Sequence, residues 1–164
     1  MRGISFCSAV LLLMSSTQFA AAECMLDTTG ATFSSIDSST SKIAGLSVTC
    51  DSEYKISLDA GSSASGSRSL QDSTGDSISY RLWQDSSGSQ EWGDNGITYA
   101  APPLSAAAGP PATHPVFGSL SSDAASAPSG NYSDTVCVTL TWPPYGAEDQ
   151  QKASMSVSFK MSEQ

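Results

Sequence analysis

The chain has 164 residues and a formal net charge of −9, from 16 Asp plus Glu against 7 Lys plus Arg. That length suits one domain with a real core, and the acidity repels phosphate backbones and anionic lipid, which argues against a nucleic-acid or membrane-surface partner. No apolar stretch is long enough to span a bilayer, so membrane insertion is not expected.

Arg2, the apolar run from Ile4 to Met14 and the small residues Ala20, Ala21 and Ala22 form the three parts of a secretory signal peptide over residues 1–22. Cleavage is expected before Glu23. Cys7 leaves with the leader, and Cys24, Cys50 and Cys137 remain in an oxidising compartment. One disulfide and one leftover thiol follow, with three pairings open.

From residue 23 the pattern is short alternating runs separated by turn residues, as in an antiparallel β-sandwich. Leu46, Val48 and Cys50 alternate in one run, and Tyr54, Ile56 and Leu58 in the next. Ile78, Tyr80 and Leu82 follow, then Val136, Val138, Leu140 and Trp142. Between them, residues 59–77 are rich in Ser and Gly, and residues 101–115 hold five of the eight prolines. Both read as loops, because neither composition suits a central strand. With about seven strands, each burying one face, an all-β immunoglobulin-like sandwich is expected. Parity places Cys50 inward and Cys137 outward, which favours pairing Cys24 with Cys50 and leaves Cys137 free or intermolecular.

Four segments carry a resemblance: GLSVTCDSEYKISLDAG, SISYRLWQDSSGSQEWGDNG, PVFGSL and GNYSDTVCVTLTW, in that order. The most specific pieces are Trp92-Gly93-Asp94 and the run Gly130, Tyr132, Asp134, Thr135 and Val136. Over roughly residues 24–142 the chain resembles the spore coat protein U domain family, which includes subunits of archaic, Csu-type chaperone-usher pili. The resemblance implies an exported, non-enzymatic pilus subunit: an immunoglobulin-like fold lacking its final strand, with a hydrophobic groove in its place. A periplasmic chaperone fills that groove first, and the N-terminal extension of a neighbouring subunit, added through an usher, fills it later. This is strand addition at an open sheet edge. The resemblance also implies a disulfide between Cys24 and Cys50, passage through the periplasm to the surface of a Gram-negative cell, and a part in attachment or biofilm formation.

Two features depart from that pattern. Only Glu23 separates the expected cleavage site from Cys24, so no N-terminal donor strand is expected in the mature chain, as a tip subunit would require. Beyond residue 142 the chain continues through a linker, residues 143–151, into a tail, residues 152–164. There Met155, Val157, Phe159 and Met161 alternate with Ser154, Ser156, Ser158 and Lys160. That is the period-two pattern of a half-buried strand. It is expected to complete the sandwich of its own domain or that of another chain, and a short tether favours the first at an effective concentration on the order of millimolar.

Enzymatic signals are lacking. His114, the single histidine, sits among prolines, and no nucleophile elbow, HExxH or CxxC occurs, so no catalytic residue, metal ligand or cofactor is assigned. Asp72, Asp76, Asp94 and Asn95 offer oxygen ligands, but without the spacing of a calcium loop, and turn formation explains them better. Trp92 is expected inside the fold. Trp83 has outward parity, and with Tyr99 nearby it is the candidate surface contact for a glycan in an alternative reading: a stand-alone, self-complemented, lectin-like module. Tyr132 occupies the place of a tyrosine-corner residue.

Overall fold

Alternation of apolar and polar side chains resolves into ten strands in the computed structural model, which describes residues 7, 22–63, 66–93 and 103–163. They are β1 (Cys24–Thr28), β2 (Ala31–Phe33), β3 (Ser41–Cys50), β4 (Tyr54–Leu58), β5 (Arg68–Gln71), β6 (Ser77–Trp83), β7 (Leu104–Ala106), β8 (Gly109–Leu120), β9 (Gly130–Thr141) and β10 (Gln150–Met161). The rest of the expected leader, and Asp94, Asn95 and Tyr99, lie outside the described residues.

The hydrogen-bonded order is β1-β3-β8-β6-β5-β9-β10-β2, with β4 on β9 and β7 on β4. Every pairing is antiparallel except that of β10 with β2. The sheet curls so that its inner face becomes one core. β1 pairs with β3 and β2 with β10, only two residues apart in sequence, so the start of the domain passes from one side of the sandwich to the other. The alternating residues of the four sequence runs all point inward: Leu46, Ile56, Leu58, Ile78, Leu82, Val136, Val138 and Leu140 have no more than trace exposure. This is an immunoglobulin-like sandwich of pilin type.

Both segments expected to be loops contain strands. The proline-rich one holds β7 and most of β8. Pro110, Pro111 and Pro115 fall in the half of β8 that faces β3, whereas β6 pairs only with Phe117 to Leu120, so the prolines occupy a stretch bonded on one side. A missing N–H is tolerated at such an edge. Gly118 is fixed by packing: a Cβ there would lie 2.6 Å from Ile43 Cδ1 and 2.8 Å from the Phe33 ring. In the serine-rich segment, β5 lies between β6 and β9 because Arg68 and Leu70 alternate inward, at 2% and 0% exposure.

Cys24 and Cys50 face each other in the β1–β3 register and are disulfide-bonded, with Cα atoms 4.1 Å apart. Cys137 departs from the expectation of a free or intermolecular thiol, for it is bonded to Cys7 across a Cα separation of 5.7 Å. Outward parity was the correct part of that reading. Cys7 falls within the expected leader, so the sequence alone offers Cys137 no partner beyond Cys24 and Cys50.

Candidate functional site

The strongest candidate is the place of the last strand. Trp142 to Asp149 form a closed turn: Tyr145 N–H donates to the Trp142 carbonyl (2.8 Å), Asp149 N–H to that of Gly146 (3.1 Å) and Trp142 N–H to that of Asp149 (3.1 Å). The Asp149 carboxylate accepts from Gly146 N–H at 2.7 Å. This turn delivers β10 antiparallel onto β9, in register from Gln150 against Thr141 to Met161 against Gly130. On its other edge β10 runs parallel to β2, with Val157 opposite Ala31 and Phe159 opposite Phe33. The adjoining half of that edge is held by side chains: Leu26 N–H donates to Gln151 Oε1 (2.8 Å) and Thr28 Oγ1 to the Ser154 carbonyl (3.1 Å).

Met155 and Val157 are 0% exposed, Phe159 4% and Met161 6%, while Ser154, Ser156 and Lys160 face solvent. The four apolar side chains of the tail therefore enter this chain's own core, between β9 and β2.

The family-motif residues brace that core from one end. Asp134 is 5% exposed and accepts four hydrogen bonds, from Tyr80 Oη (2.7 Å), Ser62 N (2.9 Å), Ser62 Oγ (2.5 Å) and Thr135 N (2.8 Å). Burial, reinforced by the Asp134 charge, pushes the Tyr80 hydroxyl far above its ordinary pKa, so it stays a donor. Tyr132 Oη donates to the Pro128 carbonyl at 2.8 Å, which closes a tyrosine corner. Trp92 is fully buried; its carbonyl accepts from Arg68 Nη1 at 2.9 Å, and its indole N–H meets no acceptor among the described residues.

Arg68 was missed in the sequence. Its guanidinium also donates to the carbonyls of Asp59 (2.9 Å) and Leu58 (3.0 Å) and lies 3.9 Å from the Glu91 carboxylate. Arginine amid serine reads as surface, and only the inward parity shared with Leu70 could have marked it.

The remaining candidates have local roles. His114 Nε2 is 2.7 Å from Tyr54 Oη, and burial holds the imidazole below its ordinary pKa. Asp72 Oδ1 accepts from the N–H groups of Thr74, Gly75 and Asp76, each at 2.9 Å, as a turn-forming carboxylate does. No cluster of His, Cys, Asp and Glu suited to a metal occurs among the described residues. Trp83 is half-buried; its indole N–H donates to Ser119 Oγ at 2.9 Å, and the Arg81 guanidinium lies 5.2 Å from its ring.

The profile of the Spore Coat Protein U domain matches residues 10–139. No curated protein matches the sequence. Among solved structures, the CooA pilin subunit of enterotoxigenic Escherichia coli is 14% identical, with 85% of this chain and 99% of that one covered and a TM-score of 0.51. PapD-like domain 7 of human CEP192 is also 14% identical, with 96% and 97% covered and a TM-score of 0.50. Both likenesses concern the fold.

Proposed function

This chain belongs to the Spore Coat Protein U domain family, and from that premise we propose that it is an exported, non-enzymatic subunit of pilus type that closes its groove with its own C-terminal strand. The observation that carries the reading is β10, paired with β9 over its full length and flanked by β2, with four apolar side chains buried. In this reading a strand that would otherwise come from a chaperone or a neighbouring subunit is supplied in cis. The bonded turn from Trp142 to Asp149 supports cis over trans, because it leads β9 directly into β10 of the same chain. At an effective concentration on the order of millimolar, a tethered strand outcompetes free strands at micromolar levels.

In this reading the subunit folds without lasting dependence on a periplasmic chaperone, leaves no groove for the next subunit, and ends or stands beside a pilus rather than extending its shaft. Usher and other pilus subunits are then partners through surfaces other than the groove, and its place is the cell exterior, in attachment or biofilm. A glycan contact at Trp83 has less support, since the indole N–H is engaged by Ser119 and Arg81 sits beside the ring.

The test is deletion of residues 143–164. The shortened chain is expected to be insoluble or chaperone-bound on export, and to be recovered by a peptide of residues 150–161. A stable soluble monomer after deletion would sink the proposal.

A further inference from the structure

The outer face of β6 and β8 holds a hollow of about 190 Å³. Ser79 and Arg81 alternate outward along β6, and Ser119 stands opposite Arg81 on β8. Ser121, whose N–H donates to the Ser79 carbonyl at 2.9 Å, and Ser67, at the entry to β5, complete the rim. Arg81 is held in place at one end. Its guanidinium lies 5.2 Å from the Trp83 ring and 3.5 Å from the Glu91 carboxylate, and the Trp83 indole is itself fixed by its bond to Ser119. Glu91 is 7% exposed and also faces Arg68 at 3.9 Å, while the buried Arg68 donates to three backbone carbonyls. Two cations therefore share one carboxylate, and the excess positive charge reaches solvent at Arg81, whose side chain is 54% exposed.

We propose that the hollow binds one carboxylate-bearing sugar residue, with its carboxylate on the Arg81 guanidinium and its hydroxyls among the serines. A guanidinium fixed by its neighbours presents paired N–H donors that match a planar carboxylate. Tyr80, at the floor, pairs with Arg68 on one side and Leu120 on the other, so the backbone there is committed to the sheet. Recognition beyond the carboxylate falls to serine hydroxyls, which donate and accept as sugar hydroxyls do. Ser79 and Arg81 are separated along β6 by roughly 7 Å, the scale of a single sugar ring, which selects one residue at a chain end or branch. Ser121 Oγ donates to Asp123, so the end away from Arg81 is acidic and the ligand carboxylate has one orientation. Trp83 supports Arg81 and is not a stacking surface, since a Cβ on Gly88 would lie 3.6 Å from its ring and the Arg81 guanidinium lies against it as well. No residue of β10 lines the hollow, so the inference bears on attachment without resting on how the groove is closed.

Protein recovered after export is titrated with galacturonate, galactose and acetate at physiological salt, and its backbone amide NMR signals are followed. Saturable binding of galacturonate that shifts the Ser79, Arg81 and Ser119 amides, at least tenfold tighter than galactose or acetate, is the expected result. Arg81→Gln, which removes the guanidinium, and Ser79→Leu, which fills the hollow and leaves the charge, should each weaken it at least fivefold at unchanged melting temperature. Acetate binding as well as galacturonate would reduce the site to an ion pair and overturn the proposal. Equal binding of galactose, galacturonate shifts confined to other residues, no saturable binding, or indifference to either variant overturns it too. The amide shifts of the parent protein keep the test decisive should a variant fold poorly.

Discussion

Gly61 and Asp134 meet so closely that a Cβ on the glycine would lie 2.8 Å from the Asp134 Cγ, and Gly61 itself has a φ of +70°. A turn after β4 is thereby docked onto the carboxylate at the entry of β9, with Ser62 N–H and Tyr80 Oη completing the junction. Asp134→Ala would leave several buried donors without an acceptor, at about 1 to 3 kcal/mol for each group not rehydrated. Gly61→Ala adds a steric conflict to a left-handed backbone and should cost at least about 1 kcal/mol. Urea denaturation measures both. A double variant no worse than the poorer single one would show that the two residues act as a unit.

The tail offers a contrast within one strand. Phe159→Ala removes a buried aromatic and should destabilise by about 3 to 5 kcal/mol, whereas Ser156→Ala on the outer face should stay within about 0.5 kcal/mol. Chemical denaturation of the two variants side by side decides whether β10 belongs to the cooperative unit. Equal and small effects would mean that it is peripheral.

How legible the fold was depends on whether side-chain period or composition dominated. Met155, Val157, Phe159 and Met161 announce a strand because each apolar residue is followed by a polar one, and the same signal locates β3, β4, β6 and β9. β5, β7 and β8 are masked by composition: serine surrounds Arg68, and prolines flank Leu104 and His114. Neither composition forbids a strand bonded on one side or one that inserts a long amphipathic side chain. Register is a long-range property, so the closing of β10 onto β2 as well as β9 was not readable from local pattern.

Cys24 and Cys50 close a loop with a sequence separation of 26, for which the loss of unfolded-state entropy corresponds to about 3.5 kcal/mol. Cys24→Ser with Cys50→Ser should therefore lower stability by a few kcal/mol. Cys137→Ser in protein lacking residues 1–22 should leave stability within about 0.5 kcal/mol, since no bridge is then lost. Thermal melts with and without reductant separate the two cases. An equal response of the parent and the Cys24/Cys50 double variant to reductant would refute the assignment.

His114 gives the fold a weak acid sensitivity whose sign is fixed by its surroundings. Burial lowers its folded-state pKa, and the neutral Nε2 can accept from Tyr54 Oη. The unfolded chain, with an imidazole near its ordinary value of about 6.5, therefore binds a proton first as the pH falls. Where the unfolded state binds more protons, stability rises with pH. The histidine's contribution is thus complete above the unfolded value and is lost between that value and the lower folded one. Comparing denaturation midpoints of the parent and His114→Gln from pH 8 to pH 4 isolates this component from the carboxylates both share. The difference should be constant above about pH 7 and shift against the parent below about pH 6.5. Tyr54→Phe, by removing the donor to Nε2, should raise the imidazole pKa in a proton NMR titration. An imidazole that instead titrates above its ordinary value in the parent protein would show that the ring is held as a cation, and that Tyr54 accepts from it.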